Sequence, residues 1–151
     1  MMNLYGVLKF LHVLSVVLWI GGVTALWITT LRLARAGDYP TVARLLPVGT
    51  RYGQSVVGPA SGIVLITGIW MAVIGHLFKT PWVGIGMTGI LLHFILGATL
   101  VRRNWMTIGR LVDDPNRDAS QLTAAIKRAT TTSWVYLLIM IVVIAAMVLK
   151  P

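Results

Sequence analysis

Four stretches of this sequence carry no Asp, Glu, Lys or Arg, and they constrain the fold more than any other feature. They cover residues 10–31, 52–78, 80–101 and 129–149. A helix needs about 20 apolar residues, each rising about 1.5 Å, to cross the roughly 30 Å of hydrocarbon in a bilayer. Because each stretch reaches that length, the sequence predicts an all-α protein, a bundle of four transmembrane helices.

The composition agrees with a protein that has lipid as its solvent. Hydrophobic residues make up 57% of the chain and charged residues 11%, whereas about a quarter of the residues in soluble domains are charged. We expect a single transmembrane domain over residues 1–151, with the first helix retained rather than cleaved as a signal peptide. The helices are expected at about 4–36, 52–78, 82–111 and 121–150. Ser120 is the expected N-cap of the last helix, and a tight turn at 79–81 predicts that the second and third helices are antiparallel neighbours.

Positive charge is distributed unevenly between the two ends of the predicted bundle. Ten Lys and Arg residues lie on the side of the first and third connections, and only Lys9, Lys79 and Lys150 lie on the other side. Lys and Arg in short loops stay in the cytoplasm. We therefore expect a multi-pass protein of the bacterial cytoplasmic (inner) membrane, with both termini outside, in the periplasm. The net charge of +9 is therefore explained by membrane orientation and by attraction to the headgroups of the lipid bilayer. We do not expect nucleic acid as a partner.

The three histidines, His12, His76 and His93, are the ionisable side chains that we expect within or beside the hydrocarbon. Ionisable residues there are costly and mark functional sites by default. No Asp or Glu lies in any span, which argues against proton pumping and cation symport. The absence of Cys excludes disulfides, iron–sulfur clusters and covalently attached c-type haem. Since a neutral imidazole is a good metal ligand, and haem iron is a common case, the pattern indicates haem b.

Glycines surround one of these histidines on the third helix. Gly86, Gly89 and Gly97 recur at spacings of three and four residues around His93, so they share its face. We expect Gly89 and Gly97 to let a flat macrocycle approach the backbone. Packing against another helix is the alternative interpretation of such glycines.

On the first helix, the most polar face carries Lys9, His12 and Trp19 at helical spacing. Two axial ligands must flank one iron at a similar depth. Counted from the expected helix starts, His12 and His93 lie about 12 and 16 Å into the membrane, and we prefer this pair. Counting depth from the flanking lysines instead favours His12 with His76, so His76 is kept as the alternative ligand.

The motif KFLHVLSVVLWIGG, which holds His12, Trp19 and Gly22, is followed by VVGPASG around Pro59 and then by His93. These residues resemble small membrane proteins of the CopD (copper-resistance) and HemJ (protoporphyrinogen oxidase) set, and are most similar to its uncharacterised members. The resemblance covers about the first 105 residues. HemJ-type proteins are helical bundles that bind haem b, so the resemblance implies His12 as a haem ligand and the histidine of the third helix as the second.

The expected function is b-type haem binding, with electron transfer or redox chemistry near the outer face of the membrane. A quinone or a redox partner protein would exchange electrons with the haem, and a haem-dependent oxidoreductase activity is left open. One alternative is a copper transport or tolerance protein of CopD type, in which Met1, Met2, Met71 or Met87 join the histidines as soft ligands. A second is a non-catalytic accessory or assembly subunit. The sequence leaves open whether the chain forms a homodimer.

Overall fold

The structure is a computed structural model that describes residues 4–116 and 118–150. Within these residues the chain forms four long helices and no strand. The helices are α1 (Leu4–Arg35), α2 (Tyr39–Ile74), α3 (Pro81–Asp113) and α4 (Ala119–Leu149). Each is long and apolar enough to cross a membrane. The prediction of an all-α fold with four transmembrane helices is confirmed.

The start of α2 lies well before the expected position 52. Asp38 is the N-cap, and its carboxylate accepts a hydrogen bond from the Thr41 backbone N–H at 3.2 Å. Pro40 lies in the first turn of α2. Backbone N–H groups there have no partner within the helix, so the N–H that proline lacks costs no hydrogen bond. The residues after Asp38, expected to form a connection, are therefore helical. The helix also ends earlier than the expected residue 78, at Ile74, before a turn of 3-10 helix at Leu77–Lys79.

Asp118, not Ser120, caps α4, so the prediction of Ser120 as the N-cap was wrong. The Asp118 carboxylate accepts a hydrogen bond from the Ser120 backbone N–H at 2.7 Å. Hydrogen bonds from the Ser120 side chain and backbone hold the pKa of the Asp118 carboxyl below its usual value. A carboxylate at this position also stabilises the helix because it faces the positive end of the helix dipole.

All four helices share one apolar core at the end of the bundle that holds the connections 36–38 and 114–118, which we call the basic end. The helices are 31 to 36 residues long, or about 46–54 Å, which exceeds the thickness of the hydrocarbon. Part of each helix therefore lies beyond the hydrocarbon, and the basic end packs around a shared core as a soluble bundle does. Its core consists of Leu31, Ala34, Val42, Ile108, Val112, Leu122, Ala125, Ile126 and Ala129.

In the other half, towards what we call the terminal end, the helices pack as two pairs. The first half of α1 packs along the second half of α2, and the first half of α3 packs along α4. α2 and α3 contact each other mainly at the basic end, between Tyr39–Tyr52 and Arg102–Asp113. The prediction that these two helices are neighbours therefore holds at the basic end only.

Three helices contain a π turn at about the level where the two halves of the bundle meet. A π turn is a single wider turn with i→i+5 hydrogen bonds inside an α-helix, and it accommodates one extra residue. In α1 the Tyr52 hydroxyl donates to the Leu18 carbonyl at 2.6 Å. Gly22 leaves room for this contact, because a Cβ there would overlap the Tyr52 hydroxyl. The π turns are Val17–Gly21, Gly53–Val57 and Gly97–Val101.

The direction of the bundle in the membrane stays a prediction. The Lys150 ammonium lies 5.6 Å from the centre of the Trp82 ring, so the end of α4 and the start of α3 share the terminal end. A phosphatase fused to the C-terminus is expected to be active outside the cytoplasm, and one inserted at Asp114 is expected to be inactive, because positive charge concentrates at the basic end. An active Asp114 fusion with an inactive C-terminal one would show the opposite orientation.

Candidate functional site

The imidazole of His12 is held by a threonine of α2. His12 Nδ1 lies 3.0 Å from Thr67 Oγ1. The Thr67 hydroxyl faces two backbone carbonyls, of Ile63 at 2.6 Å and of Val64 at 3.3 Å, and its one proton is used there. These two carbonyls favour the arrangement in which Thr67 accepts from His12, with the imidazole proton on Nδ1 and the lone pair on Nε2. That is the tautomer of a histidine that binds a metal through Nε2.

Gly68 provides the space for this ring. A Cβ at Gly68 would lie 3.2 Å from His12 Cε1, so a larger residue would push the imidazole away from Thr67. Both residues were missed by the sequence analysis. They lie 55 or more positions from His12 within an uninterrupted apolar stretch, and the only local signal was a hydroxyl in the middle of a span.

His93 lies in a second group of residues, the aromatic cluster, formed by Trp19, His93 and Tyr136. The exposed fractions of His93 and Trp19 are 1% and 2%. The centre of the His93 ring is 4.8 Å from that of Trp19 and 3.4 Å from that of Tyr136. Within the part of the chain that the structure describes, neither ring nitrogen of His93 has a hydrogen-bond partner. Because an unpaired buried polar group costs about 1–3 kcal/mol, the aromatic cluster offers unused binding capacity.

His12 and the aromatic cluster occupy different levels of the bundle. Trp19, which contacts His93, follows His12 by seven residues on α1, or about 10 Å along the helix axis. His12 faces α2, whereas His93 packs between α1 and α4. Each imidazole suits iron as a donor. For one iron to bind both, α1 must shift relative to α3, and the pair stays a prediction.

The other predicted ligand residues lie at the terminal end. His76 is exposed in the turn between α2 and α3, with a left-handed backbone (φ 53°). Lys9 is also exposed, one turn before His12 on α1. Both positions suit residues at the membrane interface. The structure places neither in the aromatic cluster.

The glycine face of the third helix is covered by α4. A Cβ at Gly86 would overlap the Met147 side chain, and one at Gly89 would overlap Val143. A Cβ at Gly97 would lie 3.5 Å from the Tyr136 hydroxyl, an ordinary contact. Gly86 and Gly89 thus act here as a helix-packing surface, which was the alternative interpretation. A macrocycle at this face would have to displace α4 side chains.

The structure describes two of the four methionines that the copper alternative would use. Among the described residues, no three His, Asp or Glu side chains lie close enough to hold one ion. Met87 is exposed and Met71 is half-buried. Met1 and Met2 lie outside the described residues.

Comparison with known protein families finds one family model that matches almost the whole chain. A family model described as a predicted integral membrane protein, DUF2269, matches residues 6–151. The chain belongs to this family. The match to DUF2269 includes both His12 and the aromatic cluster, and all four helices. No curated protein and no solved structure matches the chain. The resemblance of the first helix to the CopD and HemJ set stays an interpretation.

Proposed function

We propose that this DUF2269 protein binds haem b in the membrane and acts in electron transfer or redox chemistry near the outer face. The hydrogen bond between His12 and Thr67 is the observation that carries the proposal. Histidines that ligate a metal usually donate their second ring N–H to an oxygen, which fixes the ring and increases its basicity. Thr67 accepts that proton from His12 Nδ1, so Nε2 is free for iron.

The unpaired nitrogens of His93 support a second axial ligand on α3. A buried neutral imidazole without a hydrogen bond gains a partner when it binds iron, so ligation removes a cost that the ligand-free fold carries. In the terminal half, α1 and α2 pack as one pair and α3 and α4 as another. A shift between the two pairs that brings His93 to the level of His12 would separate His93 from Trp19.

The bound haem would supply a one-electron carrier, and the chain would set its surroundings. His12 would hold the iron, Thr67 and Gly68 would fix the direction of the imidazole, and apolar helix faces would exclude water. Such surroundings tune a reduction potential through hydrogen bonding and burial. The four uncharged stretches contain no carboxylate, which argues against proton pumping. A quinol or an external redox protein would be its partner.

The test is the absorption spectrum and metal content of the purified protein, with Thr67 variants. We expect a Soret band with split α and β bands. Thr67→Val keeps the side-chain shape but removes the acceptor of the His12 proton, and is expected to weaken haem binding about 10- to 100-fold and shift the midpoint potential. Thr67→Ser retains the hydroxyl and is the matched control.

Other outcomes would assign other functions. Copper without iron in the purified protein would support the transport alternative, and neither metal would support an accessory subunit. If the valine and serine variants bind haem as wild type does, Thr67 does not position the ligand.

A further inference from the structure

A concave surface lies on α4 near the basic end, and we call it the basic pocket. It is lined by Ala124, Lys127, Arg128, Thr131 and Thr132 and has a volume of ≈ 380 Å³. The spacing of these residues places them on one face of the helix. The small side chain of Ala124 leaves the space open. The basic pocket is separate from both His12 and the aromatic cluster.

The position of the basic pocket matches the level of lipid headgroups. Lys127 and Arg128 directly precede the uncharged stretch 129–149, and Thr131 and Thr132 lie one turn inside it. Side chains on a helix tilt towards its N-terminus, which for α4 is the basic end. The two cationic side chains therefore extend away from the hydrocarbon, and their aliphatic stems remain along its border.

The polar groups of the basic pocket are available to a ligand. Lys127 and Arg128 are exposed, and neither side chain forms an ion pair or hydrogen bond within residues 4–116 and 118–150. Thr132 accepts a hydrogen bond from Asn104 Nδ2 at 2.9 Å, so its own proton is not used in that bond. Asp118, the acid of α4's cap, precedes Lys127 by nine residues, about 14 Å along the axis. The basic pocket thus combines two positive charges and a hydroxyl donor without a carboxylate in its lining.

We propose that the basic pocket binds the phosphate of an anionic phospholipid in the leaflet at the basic end. The Arg128 guanidinium offers paired donors that fit phosphate oxygens, while Lys127 adds charge and Thr132 adds a hydroxyl donor. The acyl chains run along the apolar surface of α4 beyond Thr131. Basic pockets between helices on the cytoplasmic side bind such headgroups in other membrane proteins.

The experiment measures lipid binding to the purified full chain in mild detergent, by native mass spectrometry and thermal shift. Phosphatidylglycerol is expected to bind more tightly than phosphatidylcholine. The double variant Lys127→Gln/Arg128→Gln is expected to lose this preference, with affinity for phosphatidylglycerol falling about tenfold or more. The matched control Arg44→Gln/Arg51→Gln removes the same charge from exposed positions of α2 and is expected to bind as wild type does.

Further measurements distinguish a specific lipid-binding site from nonspecific attraction of anionic lipid to positive charge. Ala124→Leu fills the basic pocket at constant charge, on an exposed position that tolerates a larger residue, and is expected to weaken phosphatidylglycerol binding too. Equal loss in the two double variants, or no preference for phosphatidylglycerol in wild type, overturns the proposal. Inorganic phosphate that competes at equal concentration would show a free-phosphate site, which also overturns it.

Discussion

His12→Ala is expected to abolish haem retention, because it removes the imidazole whose lone pair is aimed by Thr67. In the wild-type ferric protein, two imidazoles should give a six-coordinate, low-spin spectrum. His93→Ala should leave a weakly held, high-spin haem that binds carbon monoxide readily, since one axial position becomes open. His76→Ala is the matched control: its side chain is exposed in a turn, and the spectrum should not change. Absorption spectra of the ferric, reduced and carbon monoxide forms measure all three.

The three histidine variants must be compared as a set. A normal low-spin spectrum in His12→Ala would exclude both predicted pairs. A high-spin spectrum in His76→Ala together with an unchanged one in His93→Ala would show that His12 pairs with His76. Loss of haem in all three variants calls for thermal unfolding of the haem-free proteins, because bound ligand stabilises only the folded state. Equal stability of those forms would then indicate loss of binding rather than misfolding.

Gly22→Ala is expected to destabilise the bundle strongly, whereas the neighbouring Gly21→Ala is expected to have little effect. A Cβ at Gly22 overlaps the Tyr52 hydroxyl, but one at Gly21 has no atom within 4 Å. Displacement of Tyr52 removes its hydrogen bond to the Leu18 carbonyl, and overpacking of this kind costs about 1–3 kcal/mol. Thermal unfolding followed by circular dichroism measures the difference between the two variants.

Tyr52→Phe distinguishes the loss of the Tyr52–Leu18 hydrogen bond from the steric overlap between Tyr52 and a Cβ at position 22. This variant keeps the ring and removes only the hydroxyl that donates to Leu18 at 2.6 Å. It should therefore be less damaging than Gly22→Ala, and adding Gly22→Ala to it should cost less than in the wild type. Additive effects of the two substitutions would show that Gly22 is needed for another reason.

The spans could be predicted from the sequence because a bilayer imposes length and apolarity on each helix separately. The start of α2 could not, since Pro40, Arg44 and Pro47 are typical of a connection, although a proline in the first turn fits a helix capped by Asp38. The residues that surround the histidines could not be predicted from the sequence either. Periodicity shows which residues share a face with His12, but not that Thr67 lies opposite it on another helix. Likewise, the spacing of Gly86 and Gly89 is the same whether a macrocycle or the side chains of α4 cover them.

The π turn in α1 changes which residues share a side of that helix. Trp19 and Trp27 are eight positions apart, and in a regular α-helix they would point about 80° apart. The extra residue in Val17–Gly21 reduces that angle, and Trp19 contacts His93 while Trp27 contacts Tyr136, both edge to face. A relative that lacks the π turn should keep these ring contacts with tryptophans seven positions apart, and an ungapped alignment would then pair the wrong residues on either side of the turn.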